Sequence, residues 1–396
     1  MRFEGFQRAD GRKGIRNVVA VAYLVECAHH VAREIVLPHR EEAHLIGFPG
    51  CFPNEYAQNM MERLCTHPNV GAVLLVSLGC ESFNRYRLEK TIADSGRPVS
   101  TLVIQREGGT RTTIEKGRAW IERTLAGLAG AQRVSMDVSD LVVGTVCGGS
   151  DGTSGISGNP ATGRAFDRLV REGATCIFEE TGELIGCEEI MAARAATPEL
   201  ADELRRSVHK AARYYAELGY GSFAAGNADG GLSTIEEKSM GAYAKSGSSQ
   251  ISGLIKPGDR PPKGGLYLMD VVPDGEVRFG FPNISDNAEI VEMMASGAHL
   301  TLFVTGRGSV VGSALAPVIK IAANPTMYER LSEDMDINAG AILTGDATLD
   351  EVGSAIFNQV LHVAAGQQTK SEALGHTEFI LTYKSFEPIG PACLPV

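Results

Sequence analysis

Apolar residues fall into short runs that alternate with segments of helical period, and this rhythm is the main signal in the first third of the chain. Asn17 to Val25 reads as a buried strand and Ala28 to Val36 as a helix. His44 to Phe48 gives a second strand, and Asn54 is placed to cap a helix running through Cys65. Val70 to Ser77 is a third strand and Leu102 to Gln105 a fourth, followed by a helical pattern from Thr113 to Leu128. Strands separated by helices must pair in parallel, so this region is expected to be a Rossmann-like α/β domain over residues 1–133.

The rhythm resumes after Val134. Leu141 to Val146 and Ala174 to Phe178 read as strands that flank a polar Gly-rich run and a helix from Arg164 to Glu172. Pro198 to Leu218 and Leu349 to Ala364 read as helices, His299 to Val304 as a strand, and Asp259 to Gly265 as a surface connection. A second, larger α/β domain over residues 134–396 is the expectation, and a chain of 396 residues exceeds what one core usually organises. No apolar run reaches the roughly eighteen residues of a membrane span. The first twenty residues lack the order of a signal peptide, so a cytoplasmic protein is expected.

Charge narrows the partners. With 37 basic and 48 acidic residues the net charge is −11, which argues against nucleic acid, since that needs a basic face. Eight cysteines in a cytosolic chain of this size suggest reduced thiols rather than a disulfide scaffold. Cys27, Cys51, Cys80 and Cys147 each follow a predicted parallel strand, on the edge where α/β sheets bind ligands. Cysteine is also a common small buried residue, and Cys65, Cys176, Cys187 and Cys393 read as core or incidental. Converging thiolates would suit iron, zinc or an iron–sulfur cluster, although no CxxC spacing is present.

Three further clusters carry charge. FEETGELIGCEE sets Glu179, Glu180, Glu183, Glu188 and Glu189 after a strand, as metal ligation or proton transfer would require, though solvated charge is the plainer reading. GNADGGLSTIEEKSMGAYAKSG combines Asn227, Glu236, Glu237, Lys238 and Lys245 with glycines. TGRGSVVGSALAPVIK brings in Arg307 and Lys320, as anion recognition would use them. Neither a Walker pattern nor a GxGxxG between strand and helix occurs, which disfavours a nucleotide.

Taken together, GFQRADGRKGIRN, SLGCE, CGGSDGTSGISGNPATG, the two glycine-rich clusters above and DMDINAG resemble the altronate/galactarate dehydratase family, which includes the large subunit of sulfolactate sulfo-lyase. The resemblance runs from Gly5 to about Glu378. It implies an iron-assisted lyase that removes a β-substituent, water or sulfite, from a 2-hydroxy carboxylic acid and leaves a 2-keto acid. On that reading Cys51, Cys80, Cys147 and Cys27 would hold Fe²⁺ or a [4Fe–4S] cluster with an open iron. Lys238 or Lys245 would be the base, and Glu180 or Glu237 the acid. Ser150, Asp151, Asn159, Asn227, Arg307 and Lys320 would bind the substrate. Longer relatives carry a small domain ahead of GFQRADGRKGIRN, so a separate small subunit is expected to supply it, and a homo-oligomer is also compatible. The segment GSFAAGN lacks the Asn and Pro usual in the sugar-acid enzymes, which leaves room for a shorter substrate such as sulfolactate. A non-catalytic sugar-acid-binding protein and a zinc hydrolase are the rivals from other classes.

Overall fold

A computed structural model describes residues 2–218, 225–275, 285–381 and 384. Cys393 and residues 221–224 of GSFAAGN lie outside them. The chain is a mixed α/β protein with two parallel sheets and one small antiparallel sheet.

The first parallel sheet holds β3 (Val18–Tyr23), β4 (Ala43–Gly47), β5 (Val70–Ser77) and β6 (Val99–Val103), in the order β4-β3-β5-β6. Its central strands, β3 and β5, are buried along almost their whole length and, Ser77 apart, carry almost no polar side chain, as parallel strands covered on both faces do. The expected helix start at Asn54 is present: its side chain accepts from the Ala57 amide at 2.9 Å, capping Glu55–Cys65. The glycines inside the Thr110–Leu128 helix weaken its local propensity, yet Gly117 lets it cross the Glu26–Val36 helix closely. A Cβ at Gly117 would lie 2.4 Å from the Ile35 Cδ1.

The second parallel sheet has seven strands: β8 (Val142–Cys147), β9 (Thr175–Phe178), β10 (Ile251–Ile255), β11 (Gly265–Met269), β12 (Leu300–Thr305), β13 (Val318–Ala322) and β14 (Ile337–Asn338). Their order is β10-β11-β9-β8-β12-β13-β14. One face packs Val143, Leu302 and Ile319 against Phe166 and Leu169 of the Gly158–Arg171 helix and Ile356 and Phe357 of the Leu349–Ala364 helix. The other face joins the first sheet through a shared core in which Leu24, Phe48 and Met60 meet Val146, Ile177, Tyr267 and Phe303. Buried in that core is the Asp286–Ala295 helix, whose residues from Ala288 onward are all inaccessible.

The small sheet ties the chain's start to the middle. β1 (Arg2–Gln7) pairs antiparallel with β2 (Lys13–Gly14) and with β7 (Arg133–Asp137). The division expected at residues 133 and 134 falls within β7. Among the described residues no helix is long and apolar enough to cross a membrane.

Candidate active site

The strand order β9-β8-β12 fixes the site, because it sets three carboxyl ends side by side. Cys147 closes β8, Glu179 and Glu180 follow β9, and Arg307 follows β12. Such ends are where open α/β sheets bind ligands.

The loop after β8 begins at Gly148, where a Cβ would fall 1.9 Å from an Asp286 carboxylate oxygen. Glycine there is what admits the carboxyl to the strand end. Cys147 is buried, its sulfur 3.0 Å from the Ser150 hydroxyl and 3.5 Å from the Asn159 amide nitrogen. The Lys238 ammonium donates to Ser150 Oγ at 2.8 Å and forms an ion pair with Glu183. Burial pulls Lys238 towards neutrality, but the Glu183 carboxylate and the Cys147 sulfur outweigh it and hold the ammonium above its ordinary value. In this geometry Lys238 is a cation.

Glu180 links this network to a second one. It is the non-glycine residue at positive φ among the described residues (φ 75°), a conformation that costs on the order of 1–3 kcal/mol. The turn aims its carboxylate at the Cys147 amide, 3.2 Å away, and at the fully buried Lys245. Carboxylate oxygens of Glu179, Glu180 and Glu289 lie within 4.8 Å of one another, and all three residues are buried. Neither Glu179 oxygen has a hydrogen-bond donor. Burial and the neighbouring Glu289 push the Glu179 carboxyl well up. Burial pushes Glu289 to about 8, opposed by Lys384 and reinforced by Asp286 and Glu292. Asp286 is pushed to about 6 by burial and then by Glu183. Five carboxyls (Glu179, Glu180, Glu183, Asp286, Glu289) face two buried ammoniums (Lys238, Lys245), so full ionisation would leave −5 + 2 = −3. That deficit is costly without protons or a bound cation. The oxygen donor set suits a hard divalent cation, and Glu179, Glu180 and Glu289 would hold it.

A cavity of about 360 Å³ opens onto this edge, with Ser150, Asn159 and Lys238 among its walls. The Asn159 carbonyl oxygen is buried and has no donor. Other expected site residues play local parts. Asp151 spends its carboxylate on Thr153, Ser154 and Asn324, shaping the loop. Glu237 lines the cavity mouth but is exposed and held ionised by the Ser233 amide and hydroxyl. Arg307 donates from its backbone to the Gly149 carbonyl at 2.9 Å, and its exposed guanidinium contacts the Gly226 carbonyl beside the buried Asn227. Lys320 lies apart on β13, fully buried, 3.7 Å from Asp334 and 3.5 Å from His376.

Cys27, Cys51 and Cys80 are exposed at the edge of the first sheet. The Cys51 carbonyl accepts from the Ser82 amide at 2.9 Å, so the loops after β4 and β5 touch. Among the described residues, the group of three or more ligand atoms within 4.8 Å is the glutamate set, with no cysteine in it. Asp286 and Glu289 were not foreseen. ISDNAEIVEMMA reads as an ordinary capped helix, and only its high share of apolar residues hints that its acids are buried.

The model of the D-galactarate/altronate dehydratase C-terminal domain matches residues 138–386, more than half of the chain, and that of the second domain of the same enzymes matches residues 5–129. The chain belongs to the D-galactarate/altronate dehydratase family. Relatives in this family include the (2R)-sulfolactate sulfo-lyase subunit beta of Chromohalobacter salexigens, 33% identical across 96% of this chain and 97% of that protein. Galactarate dehydratase (L-threo-forming) of Escherichia coli is 32% identical across 92% of this chain and 73% of its own length. Altronate dehydratase of Bacillus subtilis is 29% identical across 93% and 75%.

Proposed function

We propose that this family member is a lyase that eliminates a β-substituent from a 2-hydroxy carboxylic acid and releases a 2-keto acid. One observation carries the reading: a buried array of five carboxyls and two lysines meets a polar cavity at the carboxyl edge of β8 and β9. Removing a proton next to a carboxylate creates a dianion, which needs cations and donors already in place. Lys238 lines the cavity as a charged group with Ser150 beside it, whereas Lys245 lies behind Glu180. The Lys238–Glu183 pair is therefore the catalytic couple of this proposal. Held as an ammonium, Lys238 would meet the developing dianion rather than act as the base, and its partner carboxylate Glu183 would take the α-proton. The unpartnered Asn159 oxygen accepts the substrate hydroxyl, and Arg307 meets the distal anionic end.

A divalent metal at Glu179, Glu180 and Glu289 would supply Lewis acidity towards the substrate carboxylate, and we propose iron as that metal. A cysteine-held cluster is the second reading, favoured by the contact between the Cys51 and Cys80 loops. A hydroxyl leaving group needs an acid, and Asp286, kept protonated up to about pH 6 beside Gly148, is placed to be one. Sulfite leaves with less help, so sulfolactate remains the alternative substrate, in line with the similarity to the sulfo-lyase subunit. That relative is itself a subunit, and we propose a small partner subunit for this chain as well.

The test is turnover of galactarate, altronate and sulfolactate, read as 2-keto acid, by protein prepared without oxygen with and without Fe²⁺. Keto acid formed from one of the three, with Lys238→Met inactive, supports the proposal. Substrate binding without turnover in the presence of iron and partner would show a binding protein instead.

A further inference from the structure

The motif GFQRADGRKGIRN contributes nothing to the site above, yet it is dense in cations. Its Arg8 is consumed by structure: the guanidinium donates to the Pro68 and Arg16 carbonyls and to Asn17. Arg12 and Lys13 instead face a cleft of about 260 Å³ at the meeting point of the small sheet, the first parallel sheet and the second. Its walls also include Pro68, Asp140, Arg260 and His299.

The charge in this cleft does not balance. The side chains that act on Arg260 are the cations Arg12, Arg63 and Arg97 and one carboxylate, Asp10. Of the side chains that line the cleft, Arg12, Lys13 and Arg260 are cations and Asp140 is an anion, so the lining carries 3 − 1 = +2 in a chain whose net charge is −11. Burial pulls the Arg260 guanidinium down to about 10, and Arg12 and Arg63 push it the same way. Arginine nonetheless stays charged at neutral pH, so the repulsion is unrelieved. The Arg12 Nε–H is buried without an acceptor, while its Nη2 reaches Asp10 at 2.6 Å and the Thr66 carbonyl at 2.5 Å. His299 cannot add or remove charge here. Its Nδ1 accepts from the Val142 amide at 3.0 Å, so its Nε2–H donates to the Lys13 carbonyl at 2.8 Å, and burial disfavours a second proton.

We propose that this cleft binds a small, multiply charged anion of phosphate or sulfate type through Arg12, Lys13 and Arg260. The anion would cancel the local surplus and clamp the three sheets where they meet. The site is separate from the carboxylate-rich one, whose field is negative. Binding at one therefore does not require the other, and the inference does not rest on the proposed lyase reaction.

The experiment titrates inorganic phosphate into the intact chain at constant ionic strength, with sodium chloride, a phosphate monoester and malonate as parallel arms. Phosphate should bind once per chain by calorimetry and raise Tm saturably, on the order of 2 °C or more. Chloride should do neither. The monoester and malonate arms distinguish a phosphorylated metabolite from a dicarboxylate. Arg260→Met should weaken phosphate binding roughly tenfold or more without lowering the ligand-free Tm, because it removes a cation that Arg12 and Arg63 repel. Arg260→Lys should restore part of the affinity, and Lys238→Met should bind like the wild type. Equal effects of chloride and phosphate, or full affinity in both Arg260→Met and Lys13→Met, would overturn the proposal.

Discussion

Replacing Lys238 by Met separates its part in stability from its part in chemistry. The ammonium is 2% exposed and pairs with Glu183, whose side chain is 19% exposed. Methionine fills the space of the methylenes but leaves a mostly buried carboxylate without its partner. Removing one half of a buried pair costs about 3–5 kcal/mol, and the partial exposure of Glu183 places this case at the low end, about 3 kcal/mol. Lys238→Met combined with Glu183→Gln removes the orphaned charge, so the remaining cost is the hydrogen bond to Ser150, about 1 kcal/mol. At about 2 °C per kcal/mol for a large chain, the single variant should melt about 6 °C below wild type and the double variant about 2 °C below. Turnover should not follow stability: both variants should lose on the order of 10²–10⁴-fold in kcat. Differential scanning fluorimetry and keto acid release, measured on the same preparations, decide it. A double variant that regains wild-type turnover, or a single variant as stable as wild type, would refute the reasoning.

Other consequences are equally open to measurement. Glu179→Gln should lower divalent-metal affinity at least tenfold by calorimetry while costing the metal-free protein little, because burial and the neighbouring Glu289 already oppose a charge at that position. Through Glu289 the metal-free protein should lose stability as pH rises from about 4.5 to about 8, with no further loss above that. A carboxyl raised to about 8 when folded is protonated below that value, and the unfolded chain gains from ionising it first. Below about pH 6.5 His67 and His299, held neutral by burial and ionised only on unfolding, oppose that trend, so denaturant melts should show the clear fall in stability between about pH 6.5 and about pH 8. Arg307→Met should raise KM by roughly tenfold or more with an unchanged Tm, because the guanidinium is exposed and its contact is with one backbone carbonyl, that of Gly226. Co-expression with a small partner subunit should raise activity, and full activity of the isolated chain would argue against that partner.

Much of the scaffold was legible because buried parallel strands are written as apolar runs. Val70–Ser77 was read to the residue, and β3, β4, β8 and β9 to within two residues at either end. β13 was hidden for the same reason: Lys320 breaks the apolar run VIKIA, and the carboxylates of Asp334, Asp336 and Glu378, brought in by the fold, make its burial tolerable. β1 and β7 were hidden as well, since each alternates exposed and buried positions and neither announces a partner more than a hundred residues away. At the site, Cys147, Glu180, Lys238 and Lys245 were singled out because they follow strand ends or sit in glycine-rich segments. Their grouping around Ser150 and Glu183 was not legible, because it depends on how closely the fold brings the loop after β8, the turn after β9 and the Ile235–Tyr243 helix together. Asp286 and Glu289 were missed because a helix buried on every side differs from a surface helix only in its neighbours.

The central claim is that the buried carboxylate set and the Lys238–Glu183 pair form a metal-assisted elimination site. Its most direct test is one paired measurement on protein reconstituted without oxygen: iron content per chain, and keto acid formed from galactarate, altronate or sulfolactate, for wild type and Glu179→Gln. The account predicts about one iron per wild-type chain with turnover, no broad visible absorption, and loss of both iron and turnover in the variant. Full iron and turnover in Glu179→Gln, or a cluster absorption that vanishes on replacing Cys51 or Cys80, would contradict it.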